Sequence, residues 1–76
     1  MEQFLSELNF RVGHIDEVKE YLIHYEYGVA YENLCAIIRD EKYKISKENY
    51  EKIIEIGKEL GMDSMLWEEI VNYVEF

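Results

Sequence analysis

The chain has 76 residues, of which 49% are hydrophobic, 14% are aromatic and 33% are charged, and its formal net charge at pH 7 is −9. This composition predicts one folded domain, residues 1–76, with too many apolar residues for a disordered tail and too small a core for a roomy catalytic pocket. The acidic balance disfavours direct binding to nucleic acid or to an anionic membrane surface, because both partners attract Lys and Arg, and it favours a basic protein partner.

The acidic residues are concentrated at the two ends of the chain. Residues 1–38 carry a net charge of −5, residues 39–58 carry +1, and residues 59–76 carry −5. The N-terminal segment is neither basic nor rich in long apolar runs, so it does not have the pattern of a secretory signal. No segment approaches the roughly 20 apolar residues that cross a bilayer. We therefore expect a soluble cytoplasmic protein.

The spacing of apolar residues predicts an all-α fold, a single small bundle of about five short helices, with no strand. The first helix is expected from about Glu2 to Val12 and is ended by Gly13. The second is expected from about Asp16 to Tyr25. The apolar residues that these two helices place on their inner faces are Phe4, Leu5, Leu8, Val12, Ile15, Val18, Leu22 and Tyr25.

The third and fourth helices have the clearest signals. The third is expected from Gly28 to about Lys42, and a short connector follows it. Ser46 is a good N-cap for the fourth helix, which is expected to run to about Leu60. Gly61 is suited to the left-handed conformation that closes a helix.

The last helix is expected to begin after Asp63 or Ser64, either of which can serve as its cap, and to end near Val74. Its inner face should include Val71. The residues that we expect to form the centre of the core are Leu34, Ile38, Ile53, Leu60, Trp67 and Ile70.

Three groups of residues are candidate sites of chemistry. Glu20 and His24 lie one helical turn apart, but a metal site needs three or four ligands, so we expect exposed groups that pair weakly. Cys35 lies in an apolar helical run without a neighbouring base, so we expect a small buried hydrophobe. The 17 acidic residues make chance pairs of carboxylates certain. We therefore expect no enzyme activity, no metal and no cofactor.

Tyrosines and carboxylates are interleaved between residues 16 and 32. Glu17, Glu20, Tyr21 and His24 share one helical face, and exposed tyrosine among carboxylates suits a protein interface. The alternative is that some of the tyrosines Tyr21, Tyr25, Tyr27 and Tyr31 are residues at the edge of the core with a solvated hydroxyl. A second patch near the C-terminus is either a rival interface or a solvated helix face. The candidate partner-binding residues are Asp16, Glu17, Glu20, Tyr21, His24, Glu26, Tyr27, Glu32, Glu69 and Tyr73.

The order of features between Gly28 and Asp63 resembles the MafI family of small immunity proteins, which accompany the secreted polymorphic toxins of bacteria and contact-dependent growth inhibition systems. The segments that carry the resemblance are Tyr27–Ala30 with Leu34–Cys35, Ile45–Tyr50, Ile53–Gly61, Met62–Asp63 and Trp67. They cover about half of the chain and consist mostly of caps, core positions and helix stops. The resemblance implies a protein that neutralises a cognate toxin, often a nuclease such as an EndoU-like ribonuclease. It marks no inhibitory residues.

Two functions follow from these observations. The first is an immunity protein whose acidic, tyrosine-rich surface binds a toxin domain with a basic surface. The alternative is an acidic helical interaction module, such as an adaptor or a nucleic-acid mimic, that is unrelated to toxins. Neither the identity of the toxin nor the oligomeric state follows from the sequence.

Overall fold

Five α-helices make up most of the chain, and the computed structural model describes all residues from 1 to 76. The predicted fold class, a small all-α bundle, is confirmed. One short 3₁₀ turn and two strands of two residues each complete it. In chain order the elements are α1 Glu2–Leu5, α2 Val12–Ile23, α3 Tyr27–Glu41, β1 Ile45–Ser46, α4 Lys47–Glu59, α5 Met65–Glu68, the 3₁₀ turn Val71–Tyr73 and β2 Val74–Glu75.

A single buried cluster holds the helices together. It draws on every α-helix except α5, which packs partly buried side chains against it. Because these residues come from distant parts of the sequence, their burial fixes the packing of α3 between its neighbours. The fully buried members with the largest side chains are Tyr31, Leu5, Leu34, Ile38, Ile53, Ile70 and Val18.

Helix α4 has the boundaries that its sequence predicts. The Ser46 hydroxyl accepts a hydrogen bond from the backbone N–H of Asn49 at 3.1 Å, which confirms the N-cap. At the other end Gly61 has a φ of 69°. The N–H of Gly61 donates to the Lys58 carbonyl and the N–H of Met62 donates to the Gly57 carbonyl, at 3.1 and 2.8 Å. This pair of bonds is the Schellman motif, so the glycine is the predicted helix stop.

The boundary between the first two helices differs from the prediction. Helix α1 ends at Leu5, where the Ser6 hydroxyl donates to the Gln3 carbonyl at 2.6 Å. Val12 and Gly13, expected at the end of the first helix, instead begin α2, and Val12 is 75% exposed. Helical spacing does not show where a helix ends when apolar residues continue at similar spacing beyond its last residue.

A long-range contact explains where the break falls. The ring of Tyr43, in the connector after α3, stacks on Phe10 with a centroid distance of 4.0 Å. The Tyr43 hydroxyl accepts from the backbone N–H of Arg11 at 3.1 Å and is hydrogen-bonded to His14 Nδ1 at 2.7 Å. Residues 10–14 are therefore held by the connector, and α2 starts within this segment.

The C-terminal segment also differs from the prediction. Helix α5 ends at Glu68, and the chain continues through the 3₁₀ turn into β2, which pairs in parallel with β1. Ile45 lies opposite Val74 and Ser46 lies opposite Glu75. The expected absence of strands is therefore wrong, because a ladder of two residues is too short to produce a recognisable alternating pattern. Val71, expected to face inward, is 39% exposed.

The predicted core is largely confirmed. Leu34, Ile38, Ile53 and Ile70 are fully buried. Trp67 is half-buried and packs against the core.

Two residues that we expected to face the core are exposed. Leu60 is 37% exposed because it lies past the last residue of α4, and Tyr25 is 79% exposed because it lies in the turn after α2. None of the helices combines the length and the apolar character that crossing a membrane requires.

Candidate partner-binding surface

Helix α3 has a second face that is not covered by the core. Val29, Glu32, Asn33 and Ala36 fall at i, i+3, i+4 and i+7 and form one stripe along the helix. Side chains from α2 and α5 stand beside this stripe and enclose an open groove of about 370 Å³, which we call the α3 groove. Its lining residues are Tyr21, Val29, Glu32, Asn33, Ala36, Arg39 and Leu66.

The wall between α2 and the α3 groove contains an unpaired acceptor. The side-chain Nδ2 of Asn33 donates to Glu17 Oε1 at 3.2 Å. A carboxylate can only accept a hydrogen bond, so the amide nitrogen of Asn33 must face Glu17. The amide oxygen, Asn33 Oδ1, therefore points away from Glu17. That oxygen is buried and has no hydrogen-bond partner in the protein. Such an unpaired atom carries a cost of about 1–3 kcal/mol.

Arg39 joins the α3 groove to the C-terminal patch. Its Nε donates to Asp40 Oδ1 at 3.0 Å and its Nη1 donates to Glu69 Oε2 at 3.1 Å. These hydrogen bonds, first to Asp40 and then to Glu69, raise the pKa of Arg39 above its ordinary value. From the sequence, Glu69 and the α2 face are predicted as rival binding surfaces. In the structure, Arg39 lines the α3 groove beside Tyr21 of α2 and is bonded to Glu69, so the two surfaces adjoin.

The predicted acidic residues of α2 are on the surface. Asp16, Glu17 and Glu20 are exposed, and Tyr21 is half-buried where it lines the α3 groove. His24 Nε2 lies 3.4 Å from Glu20 Oε1, and the two side chains are 65% and 70% exposed. The expectation of weakly pairing surface groups is confirmed for Glu20 and His24, since an ion pair this exposed contributes little stability.

The turn between α2 and α3 carries an exposed apolar surface, which we call the corner patch: Ile23, Tyr25, Tyr27 and Val29. Their exposed fractions are 67%, 79%, 46% and 44%. The rings of Tyr25 and Tyr27 meet edge to face at a centroid distance of 6.4 Å. Glu26, which is exposed, lies within the turn, so an apolar surface with acidic neighbours occupies this end of the molecule.

Two of the tyrosines considered at the sequence level are not on this surface. Tyr31 is fully buried, and its hydroxyl donates to the Ile53 carbonyl at 2.7 Å. Burial raises the pKa of Tyr31 far above its ordinary value. Tyr73 is half-buried, packs against the core and does not line the α3 groove. Of the predicted C-terminal pair, only Glu69 is brought next to the residues of α3.

Cys35 is 3% exposed, as expected of a small buried hydrophobe. Burial raises the pKa of its thiol to about 12, and the neighbouring Tyr31 hydroxyl acts against this rise to a smaller extent. A protonated thiol in the core is a poor nucleophile. No three His, Cys, Asp or Glu side chains are grouped in a way that could hold a metal ion.

Several residues that shape the surface are not among those that the sequence predicts. Val29, Asn33 and Ala36 belong to the second stripe of α3, which helical spacing could have revealed beside Glu32. Arg39 continues the same stripe at i+3 from Ala36, whereas Leu66 required the packing of α5 beside α3, which no local pattern encodes. Comparison of the chain with family models, with curated proteins and with solved structures found no match.

Proposed function

We propose that this protein is an immunity protein that binds a secreted bacterial toxin domain and neutralises it in the cytoplasm of the producing cell. The proposal joins the resemblance to the MafI family with the surface described above. The partner we propose is a toxin domain with a basic surface, and a nuclease, for example an EndoU-like ribonuclease, fits best because such enzymes need basic clefts for their substrates.

The observation that carries the proposal is the acidic surface around the α3 groove. Glu32 is exposed within its lining, Glu17 is exposed and hydrogen-bonded to Asn33 of the lining, and Tyr21 forms part of its wall. Glu20 is exposed one helical turn after Glu17. The one cation that lines the groove, Arg39, is already engaged by two carboxylates. Partner cations would therefore meet unneutralised carboxylates, which accelerates encounter and fixes orientation.

The mode of action we propose needs no catalysis by this chain. The exposed carboxylate of Glu17 offers oxygen atoms to donors of the toxin, and Tyr21 offers aromatic area. An acidic surface held over a basic cleft excludes an anionic substrate both by its volume and by its charge. Inhibition then depends on how tightly this protein binds the toxin and on whether it covers the toxin's cleft.

The test is co-expression with the product of the gene next to the one that encodes this chain, followed by co-purification and titration of the purified pair. The double reversal Glu17→Lys and Glu20→Lys should weaken binding by about tenfold or more and abolish protection, because it replaces attraction with repulsion at the interface. A steep fall of the association rate with added salt should accompany binding by the unmodified protein.

A matched control is provided by α4, where Glu51 and Glu55 are exposed on the solvent side. Reversing this pair to lysine also raises the net charge from −9 to −5. If both double variants lose affinity equally, only total charge matters and the α2 surface is wrong. If Glu69→Lys alone abolishes binding, the site moves to α5. A toxin that does not bind at all overturns the immunity function and leaves the acidic adaptor or nucleic-acid mimic.

A further inference from the structure

The turn after α2 places a tyrosine where a glycine is the usual residue. The N–H of Tyr25 donates to the Leu22 carbonyl at 3.0 Å and the N–H of Glu26 donates to the Tyr21 carbonyl at 2.9 Å. The same two Schellman bonds are made by Gly61 and Met62 after α4. Tyr25 has a φ of 60°, in the left-handed region that a side chain with a Cβ disfavours.

The strained backbone is not offset by packing of the ring. Tyr25 is 79% exposed and makes an aromatic contact only with Tyr27, which is itself 46% exposed. A strained residue that persists without contributing to the core points to a role outside the fold. Tyrosine is also among the residues that most often anchor protein interfaces.

One other non-glycine residue, Lys42, ends a helix in the left-handed conformation, and it has a structural reason that Tyr25 lacks. Lys42 ends α3 with a φ of 56°, and its positive charge lies next to the helix C-terminus, where the helix dipole favours a cation. The uncharged phenol of Tyr25 gains nothing from the dipole of α2. Lys42 is therefore a matched reference, with the same backbone conformation and a different cause.

We propose that Tyr25 is the anchor residue of the corner patch and inserts into an apolar pocket on a basic protein partner. The inference rests on the proposed function and specifies where the strongest contact lies. Charge complementarity selects this occupant, because Glu26 is exposed between Tyr25 and Tyr27 in the chain and Glu20 is exposed one helical turn before Ile23. A second copy of the chain is disfavoured, since a twofold axis through the patch would bring these carboxylates together.

The experiment compares Tyr25→Gly with Lys42→Gly in two measurements. Both substitutions release the left-handed strain, but Lys42→Gly also removes a cation from the C-terminus of α3. The melting temperature should therefore rise by about 2–6 °C in Tyr25→Gly and by less in Lys42→Gly. Only Tyr25→Gly should weaken binding of the toxin domain, by about tenfold or more, with most of the change in the dissociation rate. Tyr25→Asn, which also tolerates this conformation, should weaken binding as Tyr25→Gly does.

Each alternative result is distinguishable. A lower melting temperature for Tyr25→Gly would make the ring a structural element and overturn the proposal. Unchanged affinity of that variant, with loss of affinity in the Glu17 and Glu20 reversal, overturns the anchor and keeps the immunity function. No binding by the unmodified protein overturns both. Dimers in sedimentation equilibrium that Tyr25→Gly dissociates would assign the patch to self-association.

Discussion

Tyr31 and Cys35 lie one turn apart in α3, and both are neutral polar groups enclosed by the core. The Tyr31 hydroxyl ties α3 to α4 through the Ile53 carbonyl. Burial is the largest cause of the raised pKa in both residues, and for Cys35 the value reaches about 12. The folded state therefore favours the protonated forms of both groups.

These pKa shifts predict a loss of stability at alkaline pH. The unfolded thiol ionises near its ordinary pKa of 9.0, whereas the folded thiol does not ionise until about 12. The contribution of these two groups to stability is thus constant below about pH 9 and falls as the pH rises through this window, by about 1.4 kcal/mol per pH unit for each group once its unfolded form is ionised. Urea unfolding at several pH values between 8 and 11 measures the slope.

The control is Cys35→Ala, which removes the thiol. Its stability is lower at every pH because a cavity is left, but the slope just above pH 9 should be flatter than in the unmodified protein. An unchanged slope would show that burial of the thiol is not the source of the pH dependence.

The sequence predicts the burial of Cys35 correctly, but it does not decide whether Tyr31 is buried or exposed. Cys35 has apolar neighbours on both sides, which is enough to indicate burial. Tyr31 lies between Ala30 and Glu32, and its neighbours are consistent with either the surface or the core. Only the Ile53 carbonyl, brought close by the packing of α4, gives its hydroxyl a buried partner.

Among the elements, α4 depends on a residue without a side chain. A Cβ placed on Gly57 would lie 2.5 Å from the Tyr31 hydroxyl oxygen and 2.5 Å from a carbon of the Trp67 ring. The hydroxyl is held by its bond to Ile53, so it cannot move away without losing that bond. The closest approach of α4 to α3 and α5 therefore requires glycine.

Gly57→Ala should destabilise the protein by about 1–3 kcal/mol, because overpacking outweighs the higher helix propensity of alanine. Gly13→Ala is the matched control, since nothing lies within 4 Å of the added methyl group. That variant should gain about 0.5–1 kcal/mol. Thermal unfolding of both variants measures the difference, and a stabilised Gly57→Ala would contradict the packing described here.

The elements that the sequence predicts well are those that carry their own start and stop signals. Helix α4 has Ser46 at one end and Gly61 at the other, and both act locally. The break before α2 and the end of α5 depend instead on Tyr43 and on the pairing of β1 with β2, which join residues far apart in the sequence. Local periodicity contains no information about such contacts.

The whole molecule carries a charge of −9 within dimensions of 33 × 27 × 20 Å. At 0.01 M salt the screening length is about 30 Å, so every carboxylate acts on every other, whereas at 0.15 M it is about 8 Å. The ion pairs that could offset this repulsion, such as Lys52 with Glu7, are half exposed and contribute little.

Added salt should therefore stabilise the free protein at pH 7. We expect the thermal midpoint to rise between about 0.01 and 0.15 M NaCl, because screening reduces self-repulsion more than it weakens the ion pairs. Scans by circular dichroism at fixed pH test this. A midpoint that falls with salt would mean that the surface ion pairs dominate.

The sequence predicts only part of the candidate binding surface. The sequence locates the carboxylates of α2 because they recur at helical spacing. It does not reveal that Glu69 approaches Arg39, or that Leu66 completes the α3 groove, since both depend on how α5 docks.

Cys35 also has a practical consequence for measuring the motions of this molecule. It is the only cysteine of the chain, and it lies buried in α3. A thiol-specific reagent can therefore label only those molecules in which α3 has separated from its neighbours. Where reclosing is faster than the chemistry, the labelling rate reports the population of that opened state. The native chain thus carries its own probe of opening, with no fluorophore or substitution added.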